Sequence, residues 1–199
     1  MGSEIERCPV TTITVGLDMS LTSSGFCKKE GANLSLETIK TTPKTCPNDL
    51  LRFKHIIDET LKRIPENVSL VCVEDFFTPH ISAHIGAAIK LIGLGTALRI
   101  EMNERGIPFV VVTPTQIKKF ATGKGNSPKN LIVREVFKKW GVEAKDDNQA
   151  DASVLAYIAD LIVKVTLNGL GLLDEFPKYQ KEVLKKVMKE RPAYNVTWK

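Results

Sequence analysis

Apolar and polar positions along this chain follow the short period of strands first and the longer period of helices afterwards. Residues 11–18 run through Thr12, Ile13, Thr14 and Val15, all β-branched as a buried strand prefers, into Gly16 and Asp18. Leu21 to Gly25 reads as a turn, and two more strands follow near 24–29 and 34–41, joined by Lys29-Glu30-Gly31-Ala32-Asn33 as a hairpin loop. Leu50, Phe53, Ile57, Leu61 and Ile64 then repeat at helical spacing, with Asn48 placed to cap the helix and Pro65 to end it. Val68 to Val73 is an apolar run of strand length that delivers Glu74 and Asp75 at its carboxyl end. A helix from His80 to about Arg105, closed by Gly106, leads to a last strand over Pro108 to Val112.

Beyond Thr113-Pro114-Thr115 a short helix carries Lys118 and Lys119 into the loop Ala121 to Asn126. Ser127 then reads as a cap with Pro128 in the first turn of a helix whose apolar face is Ile132, Val136 and Trp140, with Phe137 beside them. Lys145 to Asp151 opens a further helix running to about Leu167, with Ala152, Leu155, Ala156 and Ala159 inward. A charged helix over 178–190 is expected to be solvated. The order is three antiparallel strands, helix, strand, helix, strand, helices. It predicts an α/β fold, one mixed five-stranded sheet flanked by helices in a single domain over 11–167. Residues 1–10 form a flexible arm and 168–199 a C-terminal helical extension.

Composition narrows this only a little. The 199 residues, 43% of them apolar, suffice for one well-packed domain. A net charge of +5 suits a polyanionic partner without requiring one. Cys8, Cys27, Cys46 and Cys72 lie far apart with no C-x-x-C pair, which argues against structural zinc and for reduced thiols in a cytoplasmic setting. His80 and His84 share a helical face but lack the acid of an H-E-x-x-H pattern. No apolar run reaches membrane-spanning length, so no membrane association is expected.

Three acids then stand where a site in such a sheet needs them. Asp18 lies on the first central strand, Glu74 at the end of the fourth, and Asp151 in the first turn of a late helix, just after Asp146 and Asp147. Each has an ordinary explanation: Asp18 accepting hydrogen bonds from a turn, Glu74 facing solvent, Asp151 favoured by the helix macrodipole. Together they have a sharper one. Converging carboxylates suit Mg2+ or Mn2+, and two such ions clamp the attacking water and the leaving oxygen of a phosphodiester.

These residues resemble a known family, the RuvC-type Holliday junction resolvases of the ribonuclease H-like superfamily, particularly its phage-encoded branch. Gly16-Leu17-Asp18 with Met-Ser-Leu-Thr-Ser-Ser-Gly is similar to the first family motif. Val73-Glu74-Asp75-Phe76-Phe77 is similar to the second, and Asn148-Gln149-Ala150-Asp151-Ala152 to the third. Between them Pro114-Thr115-Gln116-Ile117-Lys118-Lys119, Gly123-Lys124-Gly125 and Lys129 match a basic segment in order and spacing. The resemblance implies a ribonuclease H-like fold and a homodimeric, divalent-metal-dependent endonuclease that resolves four-way and other branched DNA by paired phosphodiester hydrolysis. It implies metal ligation by Asp18, Glu74 and Asp151 with two ions per site, and phosphate binding or charge stabilisation by Lys118 and Lys129. Lys119 and Lys124 join the DNA-binding candidates, and Phe77 is either a wedge into the junction or core. One position departs from the pattern. Asn148 stands where the third motif normally begins with Asp, so Asn148 ligates through its carbonyl oxygen, Asp147 replaces it, or three acids suffice. The helix carrying Ala87, Ala88, Gly93 and Gly95 is a candidate dimer face, or packs on its own sheet. Two rival readings remain, a branched-DNA-binding module with an impaired metal site and a sugar kinase or actin-like phosphate-binding domain.

Overall fold

Strands β1 (Ile13–Asp18), β2 (Ser23–Glu30), β3 (Asn33–Lys40), β4 (Leu70–Glu74) and β5 (Phe109–Val112) form one sheet in the order β3-β2-β1-β4-β5. β1 pairs antiparallel with β2 and parallel with β4, and β4 pairs parallel with β5. This is the mixed five-stranded sheet of the sequence reading. The structure is a computed structural model and describes residues 12–75 and 85–190. The N-terminal arm with Cys8, the segment holding Phe76, Phe77, His80 and His84, and the tail beyond Glu190 lie outside the described residues.

Helices α1 (Asp49–Arg63) and α2 (Ile85–Glu104) cover one face of the sheet. Val15, Leu17, Val71, Val73, Phe109 and Val111 pack there against Ile56, Ile57, Leu61, Leu94, Leu98 and Met102. On the other face lies α5 (Asp147–Asn168), backed by α3 (Pro114–Thr122), α4 (Lys129–Trp140) and α6 (Lys178–Glu190). Because α5 is sandwiched between sheet and helices, it is apolar almost all round, with Ala152, Leu155, Ala156 and Ala159 fully buried.

β1 and α5 fit together by matched repeats. Thr12 Oγ1 donates to Asp160 Oδ1 at 2.7 Å, and Thr14 Oγ1 donates to the Ala156 carbonyl at 3.1 Å. Gly16 backs directly onto α5, where an added Cβ would lie 1.9 Å from the Ala152 carbonyl oxygen. Every second strand residue therefore meets every fourth helix residue. Two strand residues advance about 6.6 Å and four helix residues about 6 Å, so the register holds over the whole strand. Gly25 on β2 repeats the device, its missing Cβ giving way to the Asn148 carbonyl oxygen at 2.1 Å. A side chain at either glycine would push the helix off the sheet.

Several local expectations change. The first hairpin turns at Gly31 and Ala32 alone; Glu30 pairs with Asn33, and Lys29 is a buried member of β2 rather than a loop residue. Gly31 supplies the positive φ of 56° that this tight turn needs. Asn48 caps α1 as expected, accepting from Leu51 N at 2.9 Å, but Leu50 is 80% exposed, since the core meets this helix only from Phe53 onward. Ser127 does not cap α4; its hydroxyl bonds Thr122 Oγ1 and the Lys124 carbonyl, and Pro128 takes the cap position. Phe137 is exposed, while Trp140 stacks on Tyr157. The charged helix is not merely solvated: α6 buries Val183, Leu184 and Val187 in the core under α3 and α5. Cys27, Cys46 and Cys72 are free, buried thiols. Among the described residues no helix is long and apolar enough to cross a membrane.

Candidate active site

Leu17 of β1 lies opposite Val73 of β4, so the next residues, Asp18 and Glu74, leave the sheet side by side at its carboxyl edge. Alternation puts Asp18 on the same face as Gly16, toward α5. The absent side chains at Gly16 and Gly25 let the first turns of α5 descend onto that edge, bringing Asp151 to the two acids. Asp146 caps α5, accepting from Gln149 N at 2.8 Å, which fixes where that first turn begins.

Asp18 and Asp151 are both buried, at 6% and 9% exposure. Burial, then the charge of Glu74, a hydrogen bond with Glu74 and the charge of Asp151, hold the Asp18 carboxyl well above the usual range. Burial and then Glu74 push Asp151 up to about 7, with Lys129 and Lys118 pulling the other way. Asp151 Oδ1 is buried and accepts no hydrogen bond. Such an arrangement of like charges is costly on its own and is relieved by a cation. An all-oxygen set with an orphaned buried carboxylate oxygen fits a hard divalent ion. Among the described residues, no three acidic, His or Cys side chains are already drawn together as a cation cage.

The basic residues divide into two groups. Lys129 pairs with Asp147, a contact that raises the lysine and lowers the acid, and its charge also acts on Asp151 and Asp18. Lys118 is half-buried on α3, close enough for its charge to act on Asp151. Lys119 instead points to α6, its Nζ 2.7 Å from Glu182, and Lys124 sits exposed in the loop between α3 and α4. Asn148 is tied to β2, its Nδ2 donating to the Ser23 carbonyl at 2.5 Å. Phe77 lies outside the described residues.

Sequence reasoning brought Asp18, Glu74 and Asp151 together but missed what holds them there. Lys29, Thr12 and Asp160 anchor the same helix nine residues further on, with Lys29 Nζ 3.0 Å from Asp160 Oδ2. The available signal was an acid inside the apolar run of α5, which needs a partner to be buried.

The family model described as crossover junction endodeoxyribonuclease RuvC matches residues 14–159, a span holding all of the sheet but Ile13 and all three acids. A Thermus thermophilus RuvC in complex with Holliday junction substrate superposes with a TM-score of 0.57 at 20% identity, covering 78% of this chain and 93% of that one. A second Thermus thermophilus RuvC structure gives 0.55 at 20% identity, covering 78% and 94%. At that identity the likeness is one of fold.

Proposed function

This chain belongs to the crossover junction endodeoxyribonuclease RuvC family, and from that premise we propose that it resolves Holliday junctions and other branched DNA by paired, divalent-metal-dependent phosphodiester hydrolysis. The observation that carries the reading is the buried Asp151, with one carboxylate oxygen unpartnered, beside Asp18 and Glu74. Asp18, Glu74 and Asp151 would hold Mg2+ or Mn2+, which when bound neutralises the carboxylates, activates water and offsets charge on the scissile phosphate. The chain's own residues do the rest. Lys129, exposed at the start of α4, and Lys118 on α3 bind the phosphate and stabilise charge developing on its oxygens. The Lys129–Asp147 pair keeps the ammonium beside the acids until DNA competes for it. The sheet and α5 hold the backbones of the three acids at one fixed edge, so closing on a cation calls for side-chain movement alone.

Two symmetrical cuts call for two copies of the site, and a twofold dimer supplies them. On α2, Gly95 faces the sheet with Leu94 and Leu98, while Ile85, Ile89, Ile92 and Ile100 remain exposed. That isoleucine stripe, rather than the small residues alone, is the dimer face we assign. The test is cleavage of a labelled four-way junction in Mg2+ or Mn2+ beside linear duplex and a fork, with Asp18→Asn as control. Paired nicks on the junction, lost in the variant while binding persists, are expected. Binding without cutting would favour the module with an impaired metal site, and no preference for branched DNA would overturn the reading.

A further inference from the structure

The family match ends at residue 159, so α6 is not part of it. Its inner face, Gln180, Val183, Leu184 and Val187, is buried. Its outer face carries Lys178, Glu182, Lys185 and Lys189, at spacings of four, three and four residues that bring all four to one side of the helix. Glu182 would interrupt this basic line, but it is taken up by Lys119 of α3 at 2.7 Å. Lys178, Lys185 and Lys189 are exposed and form no salt bridge with a described residue; Lys178 acts at longer range on Glu182 and Lys185 on Asp174. Asp174, just before α6, is paired with Lys181 at 2.8 Å.

The joint between α6 and α3 is well made. Gln180 Nε2 donates to the Phe120 carbonyl at 3.2 Å, and Lys139 of α4 donates to the Ala121 carbonyl while contacting Tyr179. These donors satisfy the carbonyls left open at the end of α3. α6 is therefore held rigidly against the helix that carries Lys118 toward Asp151.

We propose that α6 is a second DNA-contact surface, its Lys178, Lys185 and Lys189 line taking the phosphates of a duplex arm that leaves the active site past Lys119. The charge complementarity is direct, and the line is about 16 Å long, enough to span several phosphates of one strand. The inference rests on the junction-nuclease reading but concerns binding beyond the scissile phosphate.

The experiment measures binding of a long-armed four-way junction across a potassium chloride series without divalent cation. It uses the full chain, the triple variant Lys178→Gln, Lys185→Gln, Lys189→Gln, and a control, Lys54→Gln on α1 across the sheet. Each phosphate contact contributes about 0.9 to the slope of log affinity against log salt. The triple variant should lower that slope by about 2 to 3 and weaken low-salt binding roughly tenfold or more, with the control unchanged. On a junction with arms of only a few base pairs the triple variant and the unaltered protein should bind alike. An unchanged slope on long arms, in a variant that melts like the unaltered protein, would overturn the proposal and leave the line as a solvated face. Failure of the unaltered protein to prefer branched DNA would instead overturn the junction reading.

Discussion

Asp151 and Asp160 sit on the same helix and both are buried, yet their surroundings are opposite. Asp160 accepts from Thr12 and pairs with Lys29 and Lys164, its two carboxylate oxygens fully engaged. Asp151 is set among Asp18 and Glu74 with one oxygen unpartnered. A buried acid whose charge is answered by the chain itself fastens one element to another. A buried acid whose charge the chain leaves unanswered is a candidate for binding a cation. The start of α5, with Asp151, is left open for chemistry, and the stretch at Asp160 fastens the same helix to the sheet.

The sharpest way to break this contrast is to neutralise each acid in turn. Asp151→Asn should cut junction cleavage by about a thousandfold or more, measured in single-turnover assays, while the protein stays folded. Retained cleavage would remove Asp151 from the site. Asp160→Asn should do the reverse, leaving Lys29 buried with its charge unanswered and costing about 3–5 kcal/mol of stability, measured by urea denaturation. Cleavage per folded molecule should persist. A stability loss below about 1 kcal/mol would mean that the lysines escape to solvent and the clamp is weak.

A smaller effect separates the two ends by ligand. Mg2+ at about a hundred times its Kd should raise the melting temperature by roughly 5–10 °C, because it binds only the folded acids. Asp151→Asn should lose that shift and Asp160→Asn should keep it. Equal shifts in all three proteins would place the ion elsewhere.

The smallest effect is in acid. Burial alone would raise Asp160, but hydrogen bonds from Lys164, Thr12 and Lys29 together outweigh it and hold the carboxyl below its ordinary 3.8. A folded-state value below the unfolded one stabilises above the unfolded value, and that contribution is lost as pH falls through the folded value. The stability gap between the unaltered protein and Asp160→Asn should therefore be constant near neutrality and close below about pH 3.8. A gap that widens in acid would reverse the sign assigned to the clamp.

Much of this molecule was legible along the chain. Strand period, helix period and the β-branched runs place five strands and the main helices, because burial on one or two faces imposes its own repeat on the sequence. Asp18, Glu74 and Asp151 were readable because carboxylates at strand ends and at a helix start are where a parallel edge gathers side chains. Lys29 was misplaced in a loop, since a lysine beside Glu30 and Gly31 reads as solvent-facing until its partner, 131 residues later at Asp160, is known. Leu50 and Phe137 keep helical spacing yet stay exposed, because spacing defines a face and only a neighbour decides whether that face is covered.

The sequence by itself therefore determined which residues are able to form a site: the local periodicities, the cap at Asn48, and the acids. The tertiary structure decided which of them meet. Gly16 and Gly25 carry no mark of the helix that lies on them, and the pairing of every second β1 residue with every fourth α5 residue exists only once the two are laid together. Local preferences act over a few residues, whereas a contact between Thr12 and Asp160 depends on closing the whole chain between them.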